Sequence, residues 1–341
     1  MKICPQCNLA YPGEVDECPS DRTALVEAEE WPVGAVIGGG YEIAAKISQD
    51  IACTVYKALQ LKRKQFRVLK VMNKHLASNA SFVKLFKRGA DQLMKLRHPN
   101  VARVEGIDKT PYGLPFIVME YVEGWSLQEI IQKEAPLAPL RACAITKQIA
   151  AGLEAGHARG MIHRELKPES IFVLGGRGRE KIKLLGFGNS QLKEILVGNQ
   201  FRTSPDTVIG AVQYLSPEQA LGRASKDVDG RADLYSLGVI LYEMLTHELP
   251  FRATHASDFM IAHIQGSPIP IRVAHADLAI PDILNAMVMH CLLKDPKERP
   301  PNAREFIREV EYVEKEIKKG RGNYSAASRH REPSGWKFWE S

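Results

Sequence analysis

From residue 41 the chain alternates apolar and polar positions in short runs rich in β-branched side chains. Residues 41–47, 53–59 and 66–71 read as three strands, with further strand candidates at 101–107 and 116–121. Between them, Phe82, Leu85, Phe86, Leu93 and Leu96 recur at helical spacing and predict a helix over 81–96. Beyond Ser126 the period is helical almost throughout: 127–132, 140–157, 232–246, 256–264, 281–293 and 303–316. A β-rich part followed by an α-rich part predicts an α+β fold of two lobes. A Cys-bearing head (1–26) and a linker (27–40) precede the body (41–313), split into a small lobe (41–122) and a large lobe (123–313). A helix end and a polar, basic, flexible tail close the chain (314–341).

Composition excludes several classes. With 341 residues, 45% hydrophobic and 25% charged, the chain is neither disordered, collagen-like nor multi-span membrane protein. Six cysteines are too few for a disulfide scaffold. No secretory leader and no run of 18 apolar residues is evident, so a cytoplasmic location is expected. The net charge of +6 averages opposed segments: residues 1–30 carry 2 basic and 7 acidic side chains, whereas 57–103 carry 13 basic and one acid, Asp91. The basic segment could dock an acidic protein partner, the acidic head of the same chain included. The weak overall charge and the lack of interleaved aromatics argue against nucleic acid. Trp336-Lys337-Phe338-Trp339 gives the tail the character of a membrane-interface segment.

The head carries two x-x-spaced pairs, Cys4-Pro-Gln-Cys7 and Cys18-Pro-Ser-Asp21. Each pair forms a turn that can aim two side chains at one point, and three thiolates with one carboxylate complete a tetrahedral zinc site. So short a head has almost no core and needs such a staple. A redox Cys-x-x-Cys is the competing reading. Cys53, Cys143 and Cys291 are isolated and expected in the core.

Six further signals stand in fixed order: Arg67-Val68-Leu69-Lys70, Arg97-His98-Pro99-Asn100, the run from His163 to Ser170, Leu185-Gly186-Phe187-Gly188, Ser216-Pro217-Glu218 with Asp233 beyond it, and Asp295 to Pro300. Residues 41–313 resemble a Ser/Thr protein kinase domain. The layout with its head resembles bacterial Ser/Thr kinases bearing an amino-terminal zinc ribbon. The resemblance implies an ATP site built on Val55, Val68, Lys70, Met119 (the gatekeeper position) and Phe172, with Glu165 and Lys167 in the catalytic loop. It also implies a buried Glu218–Arg299 ion pair, Asp233 supporting the catalytic loop, and a spine through Leu93, His163 and Phe187.

The departures from that family pattern shape the functional expectation. Ser48-Gln49-Asp50-Ile51-Ala52-Cys53 replaces the glycine-rich turn, and the Asp50 charge would repel phosphate. Gly38-Gly39-Gly40 lies outside that position and reads as a loop. Gly186 and Ser170 replace the two metal-binding residues, and magnesium wants carboxylate and carbonyl oxygens. Glu165 replaces Asp as the base, and Gly89 stands where the helix carries the Glu that pairs with Lys70. Val68 and Phe172 add volume around the adenine position. Thr203, Ser204 and Thr207 are candidate phosphosites, with Arg164 as receiver. The expectation is a pseudokinase: a catalytically inactive kinase-like scaffold or allosteric module with structural zinc, an unidentified protein partner, and neither ATP nor magnesium bound. The alternative is a weak or atypical Ser/Thr kinase using Glu165.

Overall fold

The computed structural model describes residues 2–7, 10–11, 15–27, 30–188 and 212–320. The chain forms two compact units, one from residues 1–127 and 152–208, the other from 128–151 and 209–341.

The first unit opens with a three-stranded antiparallel sheet of two-residue strands, β1 (Lys2–Ile3), β2 (Ala10–Tyr11) and β3 (Val26–Glu27), in the order β2-β1-β3. Its main sheet has six strands: β4 (Val36–Ile37), β5 (Tyr41–Gln49), β6 (Cys53–Gln60), β7 (Gln65–Met72), β8 (Val104–Lys109) and β9 (Pro115–Glu120). Their order is β4-β5-β6-β7-β9-β8, all neighbours antiparallel. Because side chains alternate between faces, Tyr56, Ala58, Leu69, Val71, Phe116 and Val118 fall into one buried cluster. The other face sends Met72 and Ile117 into a second cluster with Phe82, Phe86 and Ala90. Those three belong to α2 (Ala80–Lys95), which follows a single turn, α1 (Lys74–Ala77). The Asn79 side chain caps α2 by accepting the Ser81 and Phe82 N–H groups, each at 3.1 Å. The expected helix over 81–96 is therefore present, shifted by one residue.

Residues expected as a linker contribute to the core instead. Trp31, Ala35 and Ile37 are buried in the first cluster, and β4 extends the sheet. Apolar side chains so close to a half-finished sheet edge gain more from burial than from solvent. Gly38-Gly39-Gly40 forms the β4–β5 turn, where a Cβ on Gly38 would lie 2.4 Å from the Phe116 ring. The head rests on the same unit. The Tyr112 hydroxyl donates to the carbonyls of Tyr11 and Lys2, and the Trp31 and Tyr112 rings lie 5.5 Å apart. A small sheet of β10 (Trp125–Ser126), β11 (Ile171–Leu174) and β12 (Lys181–Leu184) completes the unit. Leu184 N–H donates to Asn100 O at 2.8 Å, and Leu184 O accepts from Ala102 N–H at 2.8 Å. These bonds join the small sheet to the segment leading into β8, so the compact units divide the chain differently from the lobes drawn on the sequence.

The second unit is helical: α3 (Leu127–Glu134), most of α4 (Pro139–His157), α5 (Pro217–Ala220), α6 (Arg231–Thr246), α7 (Ala256–Gln265), α8 (Ile271–Ala274), α9 (Asp282–Cys291) and α10 (Ala303–Lys318). Every residue of α6 from Ala232 onward is buried, which explains why its apolar residues are not confined to one stripe. Gly238 is where α6 and α9 touch, since a Cβ there would sit 2.5 Å from Cys291 Cβ. Arg299 and Glu218 form the expected buried ion pair, with two parallel bonds of 2.9 and 2.8 Å. Among the described residues no helix is long and apolar enough to cross a membrane. Thr203, Ser204, Thr207 and the Trp336–Trp339 segment lie outside the described residues.

Candidate functional site

The cleft is built on the second face of the large sheet, within the first unit. Val55 pairs directly with Lys70, and Lys70 with Ile117; one row away, Lys57 pairs with Val68 and Val68 with Met119. Directly paired positions put Cβ atoms about 5 Å apart on one face, so Val55, Val68, Lys70 and Met119 share a single wall. A small cavity of about 30 Å³, open to solvent on one side, is lined by Lys70, Gly89, Leu93, Met119, Phe187 and Gly188 among others. Gly89 of α2 lines the same cavity as Lys70, and Asp91 is exposed. Val68 and Met119 are direct partners on the large sheet, Phe172 lies on β11 of the small sheet, and all three are half-buried.

The catalytic loop follows Gly160 and runs to a single 3-10 turn at Pro168–Ser170. His163 is fully buried; its Nε2–H donates to Leu185 O at 2.8 Å, and its ring meets Phe187 edge-on at 4.8 Å. A Cβ on Gly156 would strike the Phe187 ring at 2.4 Å, so this glycine permits the seat. Gly188 lies against Leu93, and Leu93 and Phe187 line the same cavity. Gly186 has φ +99°, a conformation a glycine adopts freely. Arg164 also has positive φ, +62°. Glu165 and Lys167 are half-buried, and Lys167 Nζ lies 4.0 Å from Glu169. The Ser170 hydroxyl donates to Lys167 O at 2.7 Å and accepts Lys167 N–H at 3.2 Å. That oxygen belongs to its own turn and is a poor metal ligand.

The turn in the place of the glycine-rich loop holds what sequence reasoning missed. Asp50 does not project its charge into the cleft unscreened. Its Oδ1 accepts Ala52 N–H at 2.8 Å and Cys53 N–H at 2.7 Å. Asn73, a residue not singled out by the sequence, donates from Nδ2 to Asp50 O and Ile51 O at 2.8 and 3.2 Å. It also accepts the Thr54 hydroxyl at 2.9 Å. The signal available was Asp followed at two and three residues by free N–H groups, the pattern of a side-chain-closed turn. A second unanticipated group lies at the outer end of the wall, where Lys57 Nζ sits 4.2 and 4.3 Å from the centroids of the Phe66 and Tyr121 rings.

In the head, one atom each of Cys4, Cys7, Cys18 and Asp21 lies within 4.8 Å of all the others. Cys7 and Cys18 sulfurs are 3.6 Å apart, and Cys4 sulfur is 3.3 and 3.5 Å from the Asp21 oxygens. Tetrahedral ligands at about 2.3 Å (sulfur) and 2.1 Å (oxygen) from a metal would be separated by about 3.5–3.8 Å, so the donor set fits a metal ion. The Thr23 N–H on Asp21 holds that carboxyl below the usual carboxylate range, keeping it ionised as a ligand must be. Cys53, Cys143 and Cys291 are buried as expected, and burial pushes the Cys143 thiol up to about 12.

A sheet unit carrying a lysine-walled cleft beside a His-x-x-x-Lys loop, with a helical unit holding a Glu–Arg pair, defines the protein kinase class. The protein kinase domain family model matches residues 41–310, and the chain belongs to that family. Among curated relatives, the Ser/Thr protein kinase pkn3 of Myxococcus xanthus is 35% identical over 285 residues, covering 83% of this chain and 52% of its own. The Ser/Thr protein kinase PknB of Mycobacterium tuberculosis is 35% identical over 269 residues, covering 78% of this chain and 41% of its own. The chain therefore spans about half, or less, of the length of these relatives. Among solved structures, the kinase domain of PknI from Mycobacterium tuberculosis aligns with TM-score 0.59 at 23% identity, over 82% of this chain and 98% of that one. That likeness shows the fold alone.

These relatives correct the expectation of a catalytically inactive scaffold. Homologues 34–37% identical over most of the chain are named Ser/Thr protein kinases, and nothing among them points to inactivity. The inactive reading counted substituted ligands one by one. It gave too little weight to the acid and the two lysines, which the chain retains, in a reaction that depends mainly on positioning and charge.

Proposed function

We propose that the chain is an atypical Ser/Thr protein kinase domain that transfers the terminal phosphoryl group of ATP to a protein hydroxyl. The observation that carries this reading is the joint retention of Lys70 on the cleft wall and of Glu165 and Lys167 in the catalytic loop, within a chain of this family. Lys70 and Lys167 supply positive charge to the phosphates. Glu165 accepts the proton of the attacking Ser or Thr hydroxyl, as the oxygen forms its bond to phosphorus and ADP departs. The longer Glu side chain shifts the acceptor by roughly 1 Å, a displacement able to slow transfer about 100-fold. Magnesium does not fit the family's positions here: Gly186 has no ligand atom, and the Ser170 hydroxyl is held by its own turn. The turnover expected is therefore slow. Radiolabelled ATP with a mixed Ser/Thr peptide library tests the reading. Transfer should be measurable, and should be abolished by Lys70→Met and by Glu165→Gln. Incorporation no higher in the wild type than in Lys70→Met would overturn it.

We also propose that Cys4, Cys7, Cys18 and Asp21 hold structural zinc, making the head a zinc ribbon. Three thiols and one ionised carboxylate at tetrahedral spacing support zinc over harder cations. Closed coordination gives the ion no open position for catalysis. Elemental analysis should find one zinc per chain, and Cys18→Ser should lose it; zinc-free protein with intact fold would refute the assignment.

A further inference from the structure

The turn at residues 49–54 is closed by hydrogen bonds of its own and from Asn73. Asp50 N–H donates to Cys53 O at 2.8 Å, and Ala52 O accepts Asn73 N–H at 2.9 Å. Asp50 O and Ile51 O are taken by the Asn73 amide. The N–H groups of Ala52 and Cys53 are both taken by one carboxylate oxygen of Asp50. Ala52 and Cys53 also bury their side chains completely, in the cluster formed with Met72, Leu76, Phe82 and Phe86. Successive backbone N–H groups in a turn make an anion seat, and glycine loops offer such a seat to phosphate. Here a side chain of the protein fills it.

We propose that Asp50 is a built-in occupant of the phosphate seat, and that it sets how much of the nucleotide's affinity comes from its phosphate tail. This rests on the kinase reading above and deepens it. The phosphates are then held from the lysine side of the cleft, while the turn withholds the Ala52 and Cys53 N–H groups and adds one negative charge. Asp50 is a positioning residue: it acts through the turn. Two consequences distinguish this from a merely structural turn. The free protein should bind ATP little better than adenosine. Removing the occupant should change the response to phosphate and leave the response to the base alone.

The test is calorimetric titration of the full chain with ATP, adenosine and tripolyphosphate, for the wild type, Asp50→Asn and Asp50→Gly. Asn keeps an acceptor for the two N–H groups and so keeps the turn, while dropping the charge. Gly frees the donors. One regained charge-assisted contact corresponds to about a tenfold change in affinity. Asp50→Gly should therefore bind ATP and tripolyphosphate about tenfold more tightly, with adenosine unchanged within about twofold. Asp50→Asn should fall between. ATP and adenosine affinities that move together, or ATP affinity that does not rise in either variant, would overturn the proposal. Should no variant bind adenosine or ATP, the kinase reading fails, and tripolyphosphate alone decides the role of Asp50. Tighter binding in Asp50→Gly sustains it, and wild-type-like binding sinks it.

Discussion

Gly89→Glu is the substitution whose effect can be followed furthest. Gly89 lies inside the 16-residue helix α2 and lines the same cavity as Lys70. A Cβ built there meets nothing within 4 Å, so the new side chain enters open space. Replacing an interior helical glycine by glutamate gains about 0.5 kcal/mol from backbone entropy alone. The carboxylate also faces a buried ammonium. At an effective dielectric constant of about 20, unit charges 4 Å apart attract by about 4 kcal/mol, most of which is offset by desolvation of both groups. A net coupling of about 1 kcal/mol remains. The two contributions together should raise the melting temperature by about 2–6 °C for a unit of this size. Fixing Lys70 against one wall should also raise kcat/KM for phosphoryl transfer, by about tenfold if its placement costs 1.4 kcal/mol of barrier. Gly89→Ala supplies the helix gain without the charge. A double-mutant cycle with Lys70→Met isolates the coupling. Equal stabilisation by Glu and Ala, with no gain in kcat/KM for Glu, would show that Gly89 does not face Lys70 in the working enzyme.

Three other outcomes follow from the geometry. Glu218→Gln leaves the fully buried Arg299 guanidinium, which also donates to Leu293 O and Lys294 O, without its counter-charge; urea unfolding should show a loss of about 3–5 kcal/mol, and a loss under 1 kcal/mol would contradict the pairing. Burial, then the nearby Lys294 charge, holds His263 down to about 4 in the folded state, with Nδ1 accepting from Tyr235 and Nε2–H donating to Gln213 O. Since the unfolded chain binds that proton near pH 6.5, stability should fall as pH drops from about 6.5 to about 4, by roughly 3 kcal/mol; denaturant titrations of His263→Gln should lack this slope, and an unchanged slope would assign it elsewhere. Tyr112→Phe removes the hydroxyl that bonds the head carbonyls of Tyr11 and Lys2 and should loosen the head by about 1 kcal/mol; zinc should pass to a chelator several-fold faster than in the wild type, and an unchanged rate would show that the head holds its metal without this contact.

How much of the molecule could be read beforehand depended on whether one residue's chemistry had one structural use. The long helices of the second unit were legible from their runs of apolar residues, and α6, the richest in them, is buried all round. The Glu218–Arg299 pair and the His163–Phe187 contact were legible because their motifs occur in order. Trp31 was not, since a single aromatic in an acidic, proline-bearing stretch gives no period, yet one large ring suffices to draw 31–37 into the core. Asp50 shows the deeper difficulty. On the sequence it is a negative charge where phosphate should lie, and the inference of repulsion is sound as far as it goes. In the fold, the same carboxylate is an acceptor that organises its own turn, and Asn73, 23 residues away, completes it. A charge can be counted from a sequence, but its partners cannot. For this chain the distinction changes the reasoning about the cleft: Asp50 is first the occupant of a seat and only second a repulsive charge, so removing it tests the phosphate response without touching Lys70, Glu165 or the wall on which the base would lie.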